Sequence, residues 1–144
     1  MLSQTTEYAM RAVMCLAQNA GQAMTVAQVA IKTQVPEKYL AKILQGLVRF
    51  DIVHSQRGPS GGFTLVPAPA EVTMMDIVDA VDPIERIHSC PLRLNAHGTR
   101  LCQLHRKLDD AIAHLREAFT STTFQDLLVE PGSVPLCDIS RKDS

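Results

Sequence analysis

Five side chains that bind metals well lie close together in the second half of the chain. Within eighteen residues the sequence places His88, Cys90, His97, Cys102 and His105. Thiolate together with imidazole suits zinc, copper or an iron–sulfur cluster. Zinc fingers use cysteine pairs with about two to four intervening residues. The twelve-residue step from Cys90 to Cys102 therefore leaves zinc open without indicating it.

Cys102 and His105 carry the most specific spacing of this group. They are three residues apart at the expected start of a helix, so they share one helical face and lie within reach of one metal centre. Two interpretations without a metal stay open. In the first, both side chains only pack where the helix begins and Cys90 is an incidental surface thiol. In the second, Cys102 is a nucleophile and His105 its base. An enzyme is disfavoured because no orienting third group, oxyanion site or nucleotide-binding glycine pattern accompanies them.

The composition describes a globular domain built mainly from helices. The chain has 144 residues, of which 46% are hydrophobic and 20% charged, with few aromatic residues and no tryptophan. No apolar run is long enough for a membrane span, and no secretory signal pattern is apparent at the N-terminus. We therefore expect a cytoplasmic protein without a membrane partner and without a disulfide framework. Cys15, beside the apolar stripe of the first helix, is expected to be a buried packing residue.

Two short helices in the first half have the pattern of a helix-turn-helix. Thr25 is placed to cap the first of them, and Pro36 lies at the start of the second. The second helix has an apolar inner face and a largely cationic outer face with Lys38 and Lys42. A second helix of this kind can lie in the major groove of DNA, although an ordinary helical hairpin has the same periodicity.

A predicted β-hairpin follows and favours the DNA-binding interpretation. Residues 52–56 and 63–66 have strand character, and residues 57–62 between them have the sequence RGPSGG. Glycine lets the main chain approach a phosphate closely, and Arg57 supplies positive charge. Residues 1–66 contain six basic and three acidic residues, a net charge of +3, whereas the remainder has eight basic and twelve acidic residues, a net charge of −4. The first half therefore suits a nucleic-acid partner.

The second half contains a loop and a long helix. Thr73 opens a helix with a capping-box pattern that ends near Asp82, and residues 85–100 show no sustained periodicity. From Leu101 a heptad-like stripe follows on a helix of about twenty residues. The stripe either covers the protein's own core or pairs with a second copy. We favour the second copy, because a dimer duplicates the DNA-binding unit across a two-fold axis. The stripe consists of Leu101, Leu104, Leu108, Ile112, Leu115 and Phe119.

The predicted architecture is mainly α with a small β-hairpin, a winged helix-turn-helix domain followed by a long dimerisation helix. We divide the chain into a DNA-binding domain at 1–82 and a cysteine-containing sensor loop at 83–100. The dimerisation helix and a terminal apolar turn occupy 101–130, and a tail expected to be flexible occupies 131–144. Cys137 lies in that tail.

Several of these motifs together resemble the BadM/Rrf-type winged-helix transcriptional regulators, a family that includes IscR-like and NsrR-like members. The resemblance covers about residues 1–130 and rests on residues 8–12 (YAMRA), 39–44 (YLAKIL), 57–63 (RGPSGGF) and the cysteine loop before the long helix. It implies a homodimer that binds a palindromic operator in double-stranded DNA. In many members of the family the loop carries a [2Fe–2S] or [4Fe–4S] cluster.

The resemblance also implies a ligand set from which this chain departs. Sensing members usually have three evenly spaced cysteines, and here the outer two match Cys90 and Cys102 while the midpoint is Ala96. The resemblance suggests His97, beside the gap, and His105 as replacements. Glu7 matches an acidic ligand that comes from the partner subunit. Such a mixed set favours [2Fe–2S] over [4Fe–4S].

The resulting hypothesis is a dimeric DNA-binding regulator that senses redox state, nitric oxide or iron–sulfur status through a cluster. The alternative is a cluster-free regulator controlled by a small molecule, a protein partner or thiol oxidation. The residues expected at the duplex lie at the first helix of the motif, on the recognition helix and on the wing. They are Thr25, Glu37, Lys38, Tyr39, Lys42, Ser55, Arg57, Gly58, Pro59, Ser60 and Gly61.

Overall fold

A computed structural model describes residues 2–92 and 100–130. In this part of the chain six helices accompany one two-stranded antiparallel sheet, which confirms the predicted fold class. No helix in the described part is long and apolar enough to cross a membrane. The elements in chain order are α1 (Gln4–Gln18), α2 (Val26–Thr33), α3 (Glu37–Arg49), β1 (Val53–Gln56), β2 (Gly62–Leu65), α4 (Met74–Val81), α5 (Gln103–Thr120) and α6 (Phe124–Val129).

Side-chain caps determine where several helices begin. Thr25 and Thr73 each accept a hydrogen bond from the main-chain N–H three residues later, and the side chain at that position bonds back to the threonine N–H. Both predicted caps are confirmed. Thr123 forms a third box of this kind at the start of α6. Each box satisfies two main-chain donors that a helix start would otherwise leave unpaired.

The core is formed around α1, against which α2, α3, α4 and α6 pack. Small and medium apolar residues of α1 are buried, among them Ala9, Val13 and Leu16. Leu40, Leu44 and Leu47 of α3 are also buried, because they recur at the three- and four-residue spacing of one helical face. Cys15 is fully buried among these residues, as predicted.

The hairpin formed by β1 and β2, which we call the wing, is attached to the segment before α2. β1 pairs with β2 from Val53 opposite Leu65 to Gln56 opposite Gly62. Beyond this pair, the Phe63 N–H donates to the Met24 carbonyl at 2.7 Å and the Met24 N–H donates to the Phe63 carbonyl at 3.0 Å. The wing is therefore fixed to the core on its β2 side.

The short terminal helix α6 packs into the same core as the helix-turn-helix. Phe124 is fully buried, and its N–H donates to the Val72 carbonyl at 3.0 Å. The Met74 N–H donates to the Thr122 carbonyl, also at 3.0 Å. The end of α5 is thereby joined to the start of α4.

Candidate functional site

The outer face of α3 is exposed, and its inner face is part of the core. The predicted contact residues Glu37, Lys38, Tyr39 and Lys42 are all exposed. Pro36 is the N-cap and has extended backbone angles, and its missing N–H costs nothing at this position. The helix therefore presents two ammonium groups and one phenol to the surroundings, a set suited to phosphates and base edges.

The tight turn between α2 and α3 is fixed by local contacts. Gln34 at the end of α2 has a left-handed backbone with φ of 57°, and Val35 beside it is buried. The Thr33 hydroxyl donates to the Val29 carbonyl at 2.7 Å. These contacts set the orientation of α3 relative to α2, as a helix-turn-helix requires.

The predicted wing residues surround a compact tip. Ser55, Arg57, Gly58, Pro59 and Ser60 are exposed, whereas Gly61 is half-buried. The Gly61 N–H donates to the Gly58 carbonyl at 2.9 Å. A Cβ at Gly61 would lie 2.6 Å from the Gln56 carbonyl oxygen and 2.7 Å from that of Gly58. The tip therefore admits only glycine there, and Thr25, also exposed, caps the neighbouring α2.

Cys102 and His105 meet at the N-terminus of α5, as their spacing predicted. Cys102 is the N-cap, and its Sγ lies 3.2 Å from Nδ1 of His105. His105 is 9% exposed. Cys102 is half-buried. The pair thus combines a thiol and an imidazole, both of them donors suited to an iron–sulfur cluster.

The other predicted ligands do not complete this site within the described residues. Cys90 is buried, and Glu7 is exposed on α1. His97 lies outside the residues that the structure describes. Across residues 2–92 and 100–130, no three histidine, cysteine or acidic side chains are grouped as a metal site. Cys102 and His105 are therefore two donors of suitable chemistry that need others to hold a cluster.

A buried aspartate lies one helical turn beyond His105. Asp109 Oδ1 accepts from Arg86 Nε at 2.7 Å and from the Ile87 N–H at 2.9 Å, and Oδ2 accepts from Arg86 Nη2 at 2.7 Å. The Arg86 guanidinium and the Ile87 N–H lower the pKa of the Asp109 carboxyl to about 2. Asp109 thus stays ionised and holds the loop segment after α4 against α5.

A second contact fixes the same segment further along α5. Arg116 Nη1 donates to the Ile84 carbonyl at 2.8 Å and to Asp79 Oδ1 of α4 at 3.2 Å. The start of the loop is therefore attached to α5 at two levels, through Arg116 and Asp109.

The N-terminal half of α5 buries polar residues and exposes apolar ones. Its buried residues are His105 and Asp109, while Leu104 is 65% and Leu108 is 47% exposed. At the other end of the predicted stripe, Phe119 packs against the core. The exposed leucines therefore lie in the first half of the helix, and Phe119 in the second half covers part of the protein's own core.

Sequence reasoning missed Arg86, Asp109 and Arg116 as positioning residues. Asp109 and its neighbour Asp110 both lie off the leucine stripe, and nothing local distinguishes them. The burial of Asp109 depends on an arginine 23 residues away in the sequence, a contact that helical periodicity does not encode. The poor helix propensity of aspartate in mid-helix was the available indication.

Comparison with known proteins gives a consistent result. Residues 2–130 match the Rrf2 family, described as iron-dependent transcriptional regulators. A candidate HTH-type transcriptional regulator of Aquifex aeolicus (strain VF5) is 29% identical over 129 residues, which cover 88% of this chain and 90% of the relative.

Two solved structures show the same fold at low sequence identity. IscR of T. potens superposes with a TM-score of 0.75 at 20% identity, covering 94% of this chain and 92% of that one. CymR, the global cysteine regulator of B. subtilis, gives a TM-score of 0.73 at 23% identity, covering 88% and 95%. At such identities the structures support the fold, whereas the family match covers most of the chain. The chain therefore belongs to the Rrf2 family and is a transcriptional regulator, not an enzyme.

Proposed function

We propose that this regulator is a homodimer that binds a palindromic operator and senses redox state, nitric oxide or iron–sulfur status through a cluster held by the loop from Cys90 to His105. The proposal has three parts: the DNA-binding surface, the dimer and the sensor site. The observation that carries it is that two separate regions have suitable chemistry: the exposed face of α3 with its two lysines, and the contact between Cys102 and His105 at the start of α5.

The DNA-binding surface combines α3 and the wing. Lys38, Tyr39 and Lys42 would enter the major groove, while Arg57 and the main chain at Gly61 would contact phosphates. Their exposure supports this role, because no described contact uses the α3 ammonium groups for folding. Phosphate contacts fix the register of the protein on DNA, and the phenol and ammonium groups on the helix supply contacts to base edges.

The salt dependence of DNA binding tests this surface. Replacing a phosphate-contacting lysine weakens binding to all duplexes and lowers the slope of log K against log salt by about one. We expect this result for Lys42→Ala in fluorescence anisotropy with duplex DNA. Lys107→Ala, which removes an exposed lysine from α5, is the matched control and should leave the slope unchanged. An unchanged slope in Lys42→Ala would overturn the proposed docking.

The dimer is proposed from the exposed half of the α5 stripe. Leu104 and Leu108 lie on one helical face at four-residue spacing, and a second copy of this helix offers the same face in return. A two-fold interface along α5 would also place two copies of α3 for the two halves of a palindrome. The occupant we propose for this face is therefore a second copy of the chain.

The sensor site would be held by Cys90, Cys102 and His105. The fourth position would be filled by Glu7 of the second subunit or by His97, since the family's middle cysteine position is Ala96. Such a mixed ligand set favours [2Fe–2S]. A bound cluster supplies a redox-active centre whose potential depends on its ligands and their hydrogen bonds. The chain's own residues supply the donors, shield them from water and connect them to α5.

Ligand variants test the sensor site after anaerobic reconstitution. Cys90→Ser, Cys102→Ser and His105→Gln should each lose most of the iron and acid-labile sulfide that the wild-type protein binds. His54→Gln, an exposed histidine on the wing, is the matched control and should retain both. Glu7→Gln distinguishes the two candidates for the fourth position. Full retention in Cys102→Ser and His105→Gln would overturn the proposed ligand set.

The cluster-free regulator is the second candidate. It is favoured by the observation that, among the described residues, no three histidine, cysteine or acidic side chains are grouped as a metal site. In that case thiol oxidation, a small molecule or a protein partner would set the state of the regulator. A protein that binds DNA yet stays colourless after reconstitution would establish it.

A further inference from the structure

The loop segment 84–90 runs along α5 in a regular register. The residues of this segment that face inward are Ile84, Ile87 and Cys90, at three-residue spacing, while the residues between them are exposed. Ile84 is held at the level of Arg116 through its carbonyl, and Ile87 at the level of Asp109 through its N–H. The segment therefore lies antiparallel to the helix.

The spacing of these contacts is consistent with extended chain beside helix. Three residues of extended or polyproline-like backbone span about 9–10 Å. Seven helical residues, the separation of Asp109 from Arg116, span about 10.5 Å. Cys90 lies three residues after Ile87 along the segment, and Cys102 lies seven residues before Asp109 on α5. These two steps again cover about the same distance, so Cys90 and Cys102 are expected at the same level of the helix. The register set by Arg116 and Asp109 thus directs Cys90 toward Cys102.

Asp109 makes most of the hydrogen bonds that fix this register. It accepts three hydrogen bonds, two from the Arg86 guanidinium and one from the Ile87 N–H. Burying a carboxylate is costly unless it is paired and hydrogen-bonded, and aspartate is a poor helix former. Asp109 meets the first condition through its three hydrogen bonds, whereas its low helix propensity remains unfavourable. Such a residue is expected where the structure requires a particular position of its partners.

We propose that Asp109 is a positioning residue which, by holding Arg86 and Ile87, sets the register that brings Cys90 to Cys102. This inference deepens the sensor function proposed above and rests on it for its biological meaning. The geometry itself belongs to the apoprotein, so it can be tested without a cluster.

Cross-linking of the two thiols measures the register directly. Dibromobimane becomes fluorescent only after each of its two bromomethyl groups has alkylated a thiol, with release of two bromides. We would use apoprotein carrying Cys137→Ser, in which Cys15 stays fully buried. Tryptic peptides 87–93 and 101–106 joined by the reagent would identify the Cys90–Cys102 product; in Arg86→Gln the cleavage site before residue 87 is lost and the first peptide becomes 58–93.

Because Cys90 is only 7% exposed, the readout is the ratio of Cys90 joined to Cys102 to Cys90 alkylated alone, which does not depend on how fast the first alkylation occurs. In the wild-type protein most of the Cys90 that reacts should end up joined to Cys102. Asp109→Asn removes the charge at nearly constant volume and should lower this ratio by about tenfold, because it weakens the charge-assisted hydrogen bonds that Asp109 accepts from Arg86. Arg86→Gln removes the same pair from its more exposed side and should act alike. Glu117→Gln, which removes an exposed charge further along α5, is the matched control and should give the wild-type ratio.

The reactivity of Cys15 separates a loss of positioning from a general loss of structure. Cys15 should stay unreactive toward a thiol reagent in every variant, which shows that the core is intact. If Cys15 becomes reactive in Asp109→Asn, the core of that variant is disturbed, and the Arg86→Gln variant is used to test the proposal instead. Equal ratios of joined to singly alkylated Cys90 in wild type, Asp109→Asn and Arg86→Gln would overturn the proposal, as would a wild-type protein in which Cys90 is alkylated without being joined to Cys102.

The cross-linking test gives its answer whether or not the protein binds a cluster. Asp109-dependent cross-linking in a protein that binds no iron or sulfide would support positioning and overturn the cluster. Cluster binding together with cross-linking that ignores Asp109 and Arg86 would overturn positioning alone.

Discussion

Thr73 and Thr123 pair as an isolated antiparallel β-bridge, although they lie fifty residues apart in the sequence. Each is also the N-cap of its own helix, with an aspartate three residues later that completes a capping box. The starts of α4 and α6 are therefore fixed to each other. As a result, α5 is attached at its C-terminal end to the same core that carries the helix-turn-helix.

Phe124 should be essential for this attachment. It is fully buried, and truncating a buried phenylalanine costs about 3–5 kcal/mol in transfer and cavity energy. We expect Phe124→Ala to lower the free energy of unfolding by that amount in urea denaturation. Val129→Ala, on the exposed side of α6, is the control and should change it by less than about 0.5 kcal/mol. A cost below about 1 kcal/mol for Phe124→Ala would mean that α6 is not part of the core.

The elements of the fold were largely predictable, and the contacts between distant elements were not. The caps at Thr25 and Thr73 and the strands around residues 57–62 follow from local patterns of three to six residues. The bridge between Thr73 and Thr123 and the pairing of Met24 with Phe63 join segments far apart in the sequence. Periodicity contains no information about such pairs. The sequence pattern therefore places the terminal apolar turn together with the long helix at 101–130, and it does not predict that α6 packs into the core of the helix-turn-helix.

Gly62 should be required for the position of the wing. It has a φ of +146°, and a Cβ there would lie 2.5 Å from the Met24 carbonyl oxygen. Gly62→Ala forces the wing away from the segment before α2, and we expect a loss of about 1–3 kcal/mol in stability. It should also weaken DNA binding, since the wing and α3 would no longer keep their relative positions.

Gly46 provides the control for that substitution. It lies within α3, and a Cβ there would meet nothing within 4 Å. Gly46→Ala should therefore stabilise the protein by about 0.5–1 kcal/mol, because alanine is the better helix former. Equal effects of the two substitutions in urea denaturation would show that the close approach at Met24 does not constrain the wing.

The exposed leucines of α5 should hold two copies together. Leu104→Glu places a charge in the proposed interface, while an acidic residue in the first turn is favourable for an isolated helix. We expect a folded monomer, measured by light scattering after size-exclusion chromatography. Lys107→Glu, an exposed substitution off the leucine stripe, should leave the protein dimeric. A dimeric Leu104→Glu protein would place the interface elsewhere.

Asp109 should contribute to the acid dependence of stability. Its pKa is lowered from 3.8 to about 2 by Arg86 and the Ile87 N–H. A carboxylate with a depressed folded-state pKa contributes stability that is present above pH 3.8 and lost as the pH falls toward 2. The stability difference between wild type and Asp109→Asn should therefore shrink between pH 4 and pH 2 in urea denaturation. A difference that does not change with pH would contradict the proposed pairing.

Only one part of the proposed sensor site was predictable from the sequence. The three-residue spacing of Cys102 and His105 was sufficient to predict their contact, because both belong to one helix turn. The approach of Cys90 depends on Arg86 and Asp109, whose pairing is a tertiary contact. Glu7 would act from a second subunit, and a single sequence does not encode where that subunit lies.

The visible absorption spectrum of protein purified without oxygen, with iron and acid-labile sulfide assayed on the same sample, tests the central claim most directly. We predict visible absorbance with iron and sulfide in equal amounts, and about two of each per subunit for a [2Fe–2S] cluster. A colourless protein that takes up neither iron nor sulfide on attempted reconstitution would contradict the cluster, and the cluster-free regulator would then be the account to adopt.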